Sequence, residues 1–415
     1  MKITIHRGAK EIGGTCVEII AENGKILWVD LGMPLTDKIP NVDYVKRKVN
    51  ALLISHPHQD HYGLMEFVGT SVPIYLGELT LDLINSTRLF RGLKTQIGNF
   101  QTIKPWEKLI IEETFEVTTF LTDHSSSEAY AFIIEADGKR IFYSGDFRGS
   151  GRKKKVFNNL IANPPQNVDL LLIEGTMIER NNHPYPNEDS VEDGVYNIIN
   201  CQQNLTFVIS SSQNIDRLVS VFRACKRSNK YLVIDIYTSW ILDQVRKQSP
   251  GTPSLEWSEI KVFQDPNQLN EVKDAEFDNF RCRISENLVN NDLFNNPFEY
   301  VLFVRRPNLK LVNKLKHRGT INIIYSQWEG YLKDEKKYRA SAVINQLRKF
   351  DEIKFQLIHT SGHALTSDLI KLATAINAKM VVPIHTDSPE RFQSEFNEAG
   401  IINVSLWEDG KEYLL

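Results

Sequence analysis

Residues 50–67 read Asn-Ala-Leu-Leu-Ile-Ser-His-Pro-His-Gln-Asp-His-Tyr-Gly-Leu-Met-Glu-Phe. The run from Ala51 to Ile54 is wholly apolar, as a buried strand is, and it stops at Ser55. Four candidate metal ligands, His56, His58, Asp60 and His61, then fall within six residues. Only ten histidines occur in 415 residues, so three in this window point to a site rather than to an ordinary polar loop. Imidazole and carboxylate together suit zinc or a similar first-row divalent ion. His56 and His58 are two apart, and in an extended segment both rings leave the same side. Asp60 and His61 sit where the chain turns into a helix, aimed at a neighbouring position. One short loop can therefore serve two ions.

Working outward, further strand ends carry ligand-type residues. The strand Lys25–Val29 ends at Asp30-Leu-Gly, with a glycine turn behind the carboxylate. Pro73–Tyr75 reads as a strand and Glu78–Leu89 as a helix with apolar residues at helical spacing. Residues 108–121 alternate and end in Leu-Thr-Asp-His124, and a hairpin over 130–145, turning at Asp137-Gly138, ends in Ser-Gly-Asp146. The apolar strand Asp169–Ile173 ends in Glu174-Gly-Thr. Near the end of the chain, Lys354–Ile358 leads to His359-Thr-Ser361-Gly-His363-Ala, and Met380–Pro383 leads to Ile-His385-Thr. A strand end suits a metal ligand because the framework is rigid while the tip is accessible.

Composition sets the bounds. The chain is 41% hydrophobic and 24% charged, ordinary for a globular protein, and its length favours two domains. A formal net charge of −3 excludes a globally basic protein, so any nucleic-acid surface must be local. Cys16, Cys201, Cys225 and Cys282 are scattered without a CxxC pair, which predicts buried thiols of a reducing compartment. The polar N-terminus and the lack of any apolar run of ~18–20 residues predict a cytoplasmic protein. Residues 179–189 read as a polar, proline-bearing linker. Helix and strand alternate beyond it, which predicts a parallel sheet covered on both faces, although 250–297 carries no clear pattern. The expected organisation is a first domain of 1–177 plus 354–415, with a second domain of 178–353 inserted.

The pattern HxHxDH after a strand resembles the metallo-β-lactamase superfamily. His124, SGD ending at Asp146, EGT at 174–176, SGHA at 361–364 and PIHT at 383–386 follow it around an inserted segment. In that order the motifs resemble the β-CASP branch, closest to ribonuclease J-like and cleavage-factor-like nucleases. Ser-Ser-Ser-Gln-Asn-Ile-Asp-Arg (210–217) resembles the branch's sheet-to-helix turn in the inserted domain. The chain ends soon after PIHT, which on this resemblance implies that the extra C-terminal domain of full-length ribonucleases J is absent.

The resemblance implies an α/β fold, a four-layer αβ/βα sandwich with an inserted β-CASP α/β domain and a nuclease site at a cleft between the two. It implies one ion on His56, His58 and His124, and a second on Asp60, His61 and His385, with Asp146 bridging. Asp30 would hold the ligand loop rather than touch metal. The ions are expected to be zinc, with manganese as the alternative. Two such ions ~3.5–4 Å apart can hold a hydroxide for phosphodiester hydrolysis. Asp60, Glu174 and His363 form the expected catalytic group: His363, oriented by Glu174, would protonate the leaving ribose oxygen.

The expected function is therefore a metal-dependent ribonuclease acting on single-stranded RNA. Endonuclease and 5′-to-3′ exonuclease action both stay open, as does a homodimer. The alternative is a small-molecule metallo-hydrolase of the same superfamily, acting on a lactone, thioester or lactam. Candidate substrate contacts are Ser210, Ser211 and Ser212 ahead of a helix, Arg217 one turn into it, and His359 and Ser361. Basic clusters that could track RNA occur at Arg148, Arg152 and Lys153–Lys155, at Arg305-Arg306, and at Lys310–Arg318. Tyr325 and Trp328 are either base-stacking or core residues.

Overall fold

A computed structural model describes residues 1–35, 43–93, 98–180, 184–201, 204–264, 268, 276–289, 292–307, 309–333 and 339–415. Among these residues the strands form three sheets. The first sets β1 (Lys2–Arg7), β2 (Cys16–Ile20), β3 (Ile26–Val29), β4 (Ala51–Leu53), β5 (Pro73–Gly77) and β6 (Asn99–Ile103) side by side. The second takes β7 (Lys108–Ile111), β8 (Phe115–Leu121), β9 (Tyr130–Ala136), β10 (Lys139–Tyr143) and β11 (Leu170–Glu174). The third holds β12 (Thr206–Ile209), β13 (Tyr231–Asp235), β14 (Ile260–Phe263), β15 (Tyr300–Val304), β16 (Ile321–Tyr325) and β17 (Ile353–Leu357). The chain then returns. β18 (Met380–Ile384) pairs with β11 in the second sheet, and β19 (Glu412–Leu414) with β1 in the first.

Two compact units result. The first comprises Met1–Ile84, Gln96–Asn182 and Gly362–Leu415, the second Asn85–Thr95 and His183–Ser361.

In the first unit the two sheets share one core. Leu27, Val29 and Leu53 of the first sheet pack in the same cluster as Phe132, Ile141, Leu170 and Leu172 of the second. The intervening residues are buried on the outer faces. Trp28, Leu52 and Ile54 pack with Tyr62 of α1 (Gln59–Tyr62) and Ile84 of α2 (Glu78–Leu89). Leu171 and Ile173 pack with Phe157 of α3 (Lys154–Ala162) and with Leu369 and Phe392. Helix, sheet, sheet, helix gives the four layers expected. Strands buried on both faces lose the polar alternation, and so 51–54 and 170–173 read as unbroken apolar runs.

The second unit is the parallel sheet predicted, in the order β14-β13-β15-β12-β16-β17, with helices between its strands. Its first helix, α4 (Glu188–Ile199), begins at the end of the expected linker, 181–183 of which lie outside the described residues. Asn187 and Ser190 cap its N-terminus reciprocally. Two further helices, α5 (Ile215–Arg227) and α6 (Ile236–Gln248), follow β12 and β13.

Three expectations need correction. The strand expected over 354–358 in the first domain is β17, and it pairs with β16 in the third sheet, so the chain re-enters the first unit only at Gly362. A parallel edge strand carries the same pattern whichever sheet it joins. The second concerns the thiols: Cys16 and Cys225 are buried, but Cys201 and Cys282 are exposed. The last is the closing strand at 404–406, which is reduced to a single bridge between Val381 and Val404. No described helix is long and apolar enough to cross a membrane.

Candidate metal centre

The ligand loop starts where β4 ends and is held from below by Asp30. This residue follows β3 with a left-handed backbone, φ 58°. Its fully buried carboxylate accepts from the Ser55 backbone N–H at 2.7 Å, the Ser55 hydroxyl at 2.7 Å and the Tyr143 hydroxyl at 2.6 Å. The same oxygen lies 2.7 Å from His61 Nδ1. All of its bonding capacity is thus spent on the loop and its neighbours. Tyr143 was not singled out in the sequence, although β10 alternation places it inward with Ile141, where a buried hydroxyl must find a partner.

Above that anchor the ligand atoms converge. His56 Nε2 and His124 Nε2 each lie 3.1 Å from His58 Nδ1. Asp146 Oδ2 lies 3.3 Å from His61 Nε2 and 3.7 Å from His56 Nε2. Asp60 Oδ2 lies 3.3 Å from His385 Nε2. His56, His58, His124 and Asp146 form one group able to hold an ion, and Asp60, His61 and His385 another. Asp146 also belongs to a third grouping with Glu174, His363 and His385. Asp146 follows Gly145, whose φ is 53° and where a Cβ would stand 2.5 Å from the Tyr130 carbonyl oxygen. Only glycine fits that turn.

These residues fit divalent cations. Asp146 Oδ2 and His61 Nε2 are buried without a hydrogen-bond partner, a costly state that a cation between them would relieve. Burial holds the His56 and His124 imidazoles well below their usual range, and brings His58 down to about 4. Neutral imidazoles keep the lone pairs that ligation needs. Burial would raise the Asp60 and Asp146 carboxyls, but surrounding histidines hold both below the usual range, Asp60 chiefly through His385 beside it and Asp146 chiefly through His61. Burial would lower His61, yet the Asp146 and Asp30 carboxylates raise it. A His61 Nδ1–H given to Asp30 leaves Nε2 turned to the site, the usual way a carboxylate orients a metal-binding imidazole.

Beside this cluster stands a second pair. Glu174, buried at the end of β11, places Oε2 3.0 Å from His363 Nδ1, while Oε1 accepts from the backbone N–H of Phe147 at 2.9 Å. His363 Nδ1 is 3.5 Å from Asp146 Oδ2. Burial would lower this imidazole, but Glu174 and Asp146 raise it to about 9. Gly362 lets the loop pass close by, because a Cβ there would meet the Ser125 hydroxyl at 2.8 Å.

The expected substrate residues lie in the second unit. Arg217 is not a surface cation. It is fully buried, donating from Nε and Nη2 to Glu188 at 3.1 Å each and from Nη1 to the Ser326 carbonyl and hydroxyl at 2.6 Å each. Its Nη2 also donates to the Thr360 carbonyl at 3.0 Å, and His359 Nδ1 lies 3.3 Å from Nη1. An apolar helix face and a parallel sheet enclose it, so the guanidinium braces the loops at the strand ends. Ser210 and Ser212 are buried, the latter paired with Thr238 at 2.8 Å, whereas Ser211 is exposed. Ser361 is buried and His359 half-buried. Tyr325 is a core residue stacked on Phe355. In the first unit, Arg148 is buried beside Asp123, and Lys153 donates to the Ser126 and Ser127 carbonyls at 2.9 and 2.8 Å. That leaves Lys154 and Lys155 as the exposed part of the run.

Residues 31–198 match the beta-lactamase superfamily domain. The chain is 30% identical to an RNase J-like protein of Methanocaldococcus jannaschii over 42% of each chain. It is 25% identical to ribonuclease J of Thermus thermophilus, over 62% of this chain and 46% of the relative. With ribonuclease J of Helicobacter pylori the identity is 23%, over 99% of this chain and 60% of the relative. The chain thus spans 42–60% of the length of these relatives. A protein of unknown function from Enterococcus faecalis V583 shares the fold, with a TM-score of 0.75 at 19% identity over 100% of this chain and 99% of that one. The four-layer sandwich of the first unit, the histidine–aspartate cluster and these matches together mark the chain as similar to the metallo-β-lactamase superfamily and to its ribonuclease J-like members.

Proposed function

We propose that this chain is a metal-dependent ribonuclease that hydrolyses RNA phosphodiester bonds. The observation that carries the reading is the His363–Glu174 pair set against the ligand cluster, 3.5 Å from Asp146. Relatives named ribonuclease J support RNA as the substrate class. His56, His58 and His124 would hold one divalent ion and Asp60, His61 and His385 a second, with Asp146 between them; zinc suits these nitrogen and oxygen donors. Bound there, the ions supply Lewis-acid activation of water and charge stabilisation at the phosphoryl group.

The protein's own residues supply the proton chemistry. Hydrolysis adds water to phosphorus and breaks a P–O bond, and the departing ribose oxygen must take up a proton. His363 is raised to about 9, so it is cationic at neutral pH and has that proton to give. Glu174 engages Nδ1, which leaves Nε2–H as the donor and keeps the ring in one orientation. Through its second oxygen Glu174 also accepts from the Phe147 N–H, so the acid and the residue after Asp146 share one anchor.

End-labelled RNA, matched single-stranded DNA and a chromogenic lactam or thioester test this directly. The expected result is RNA cleavage with little turnover of the small substrates. Turnover of the lactam or thioester without RNA cleavage overturns the proposal in favour of a small-molecule hydrolase.

A further inference from the structure

His385 is the expected ligand under most backbone constraint. It follows β18 directly, yet its φ is 51°, in the left-handed region that non-glycine residues seldom occupy. Two contacts hold it there. Its backbone N–H donates to the Gly8 carbonyl at 2.6 Å, and its carbonyl oxygen lies 3.2 Å from the Thr176 hydroxyl. That hydroxyl also lies 2.8 Å from His385 Nδ1. Both residues are buried, so no water competes for these positions.

A threonine hydroxyl has one hydrogen and two lone pairs. Given to the His385 carbonyl, the hydrogen leaves Oγ1 as an acceptor, and Nδ1 must then be the protonated ring nitrogen. Nε2 faces Asp60 Oδ2 at 3.3 Å, and with an ion held between the two it would offer that ion its lone pair. One hydroxyl thereby ties the backbone of His385 to its own ring and selects the tautomer. Thr176 follows Glu174 and Gly175 at the end of β11, the strand that pairs with β18, so the two residues leave adjacent strand ends together. A β-branched side chain is stiff at χ1, which suits a hydroxyl that must serve two partners.

We infer that Thr176 is a positioning residue for His385, holding the strained backbone and presenting Nε2 as a ligand atom, an inference that rests on the two-ion reading of the site. Outer hydrogen-bond partners of metal-bound histidines are usually worth 10–100-fold in metal affinity. The same is expected here, for one ion only.

The test uses the full chain, stripped with a chelator and titrated with Zn²⁺ against a chromophoric competitor, and with Co²⁺ for its visible spectrum. Wild type is expected to bind two ions. Thr176→Val should weaken the ion on Asp60, His61 and His385 by roughly 10–100-fold and alter its Co²⁺ bands, leaving the ion on His56, His58 and His124 unchanged. Thr176→Ser keeps the hydroxyl and should bind like wild type. Should the valine variant fail to fold, Thr176→Ala takes its place with the same expectation. Unaltered affinity and spectrum in the valine or alanine variant overturn the inference, as does a serine variant no better than valine, because a retained hydroxyl would then restore nothing. A wild-type chain with no ion on the second group overturns the two-ion reading itself.

Discussion

Glu174 grips His363 and the Asp146 loop with the two oxygens of a single carboxylate: Oε2 lies 3.0 Å from His363 Nδ1, and Oε1 accepts from the Phe147 N–H at 2.9 Å. The proposed proton donor and the loop of the proposed bridging ligand therefore share one anchor. His363→Ala is expected to keep its metal and to slow RNA cleavage by roughly 10²–10⁴-fold. Glu174→Gln should act in the same direction. A nitrophenyl phosphodiester, whose leaving group needs little protonation, should recover part of the rate. Loss of metal from His363→Ala in elemental analysis rejects the acid role.

His385→Ala should behave differently although its sequence setting looks similar. If it removes a ligand, as proposed, elemental analysis after reconstitution should find one ion per chain against two in wild type. Chelation should abolish cleavage by wild type, and readdition of metal should restore it. Two ions retained in His385→Ala would remove it from the ligand set.

Arg217→Met should destabilise the protein by about 3–5 kcal/mol, because it leaves the buried Glu188 carboxylate without its main partner. Adding Glu188→Leu removes the stranded charge, and the double variant should lose less than the two single losses summed. Urea unfolding of the four proteins measures this coupling. Metal content should not change. A single variant as stable as wild type would show that Arg217 braces nothing.

The basic run after Gly151 should divide by function. Lys154 and Lys155 are exposed, and reversing both to glutamate should weaken RNA binding and flatten its dependence on salt, with metal content unchanged. Lys153 is spent on the Ser126 and Ser127 carbonyls, close in sequence to His124. Lys153→Glu should therefore lower thermal stability, which the neighbouring reversals should not. Unaltered RNA affinity in the double reversal means that the substrate does not track over this face.

Glu18 predicts a pH-dependent stability term. Burial would raise its carboxyl, but the His6 ring 3.4 Å away, the Trp28 hydrogen bond and the Arg47 charge hold it below the ordinary value of 4.5. A depressed carboxyl stabilises the fold fully above its unfolded value and loses that contribution as pH falls through the folded one. Glu18→Gln should thus cost about 1.5–3 kcal/mol at neutral pH, the range for hydrogen bonds to a charged group. The gap to wild type in thermal unfolding should narrow below about pH 4.5. A gap that stays constant into acid contradicts the assignment.

Much of this protein was legible because its chemistry sits at the ends of apolar runs. His56 to His61, His124, Asp146, Glu174 and His385 each end a short strand or lie a few residues beyond one, and residue type is visible without any coordinates. Helix α2 and the alternation beyond residue 190 were equally clear, since periodicity is a local property.

Pairing over distance is not local. Asp30 could be recognised as a strand-end carboxylate, but its contacts with Ser55, His61 and Tyr143 span 25 to 113 residues. Arg217 looked like a phosphate contact because a helix N-terminus after a serine turn invites one, and only burial against Glu188 shows that its charge is already used. The β17 edge strand carried no mark of which sheet it joins. Sequence alone determined which ligand types this chain offers and that strand ends present them. The tertiary structure decided which side chains meet, and so whether a charge braces the core or is left for substrate, because burial and pairing depend on neighbours from 25 to 325 residues away.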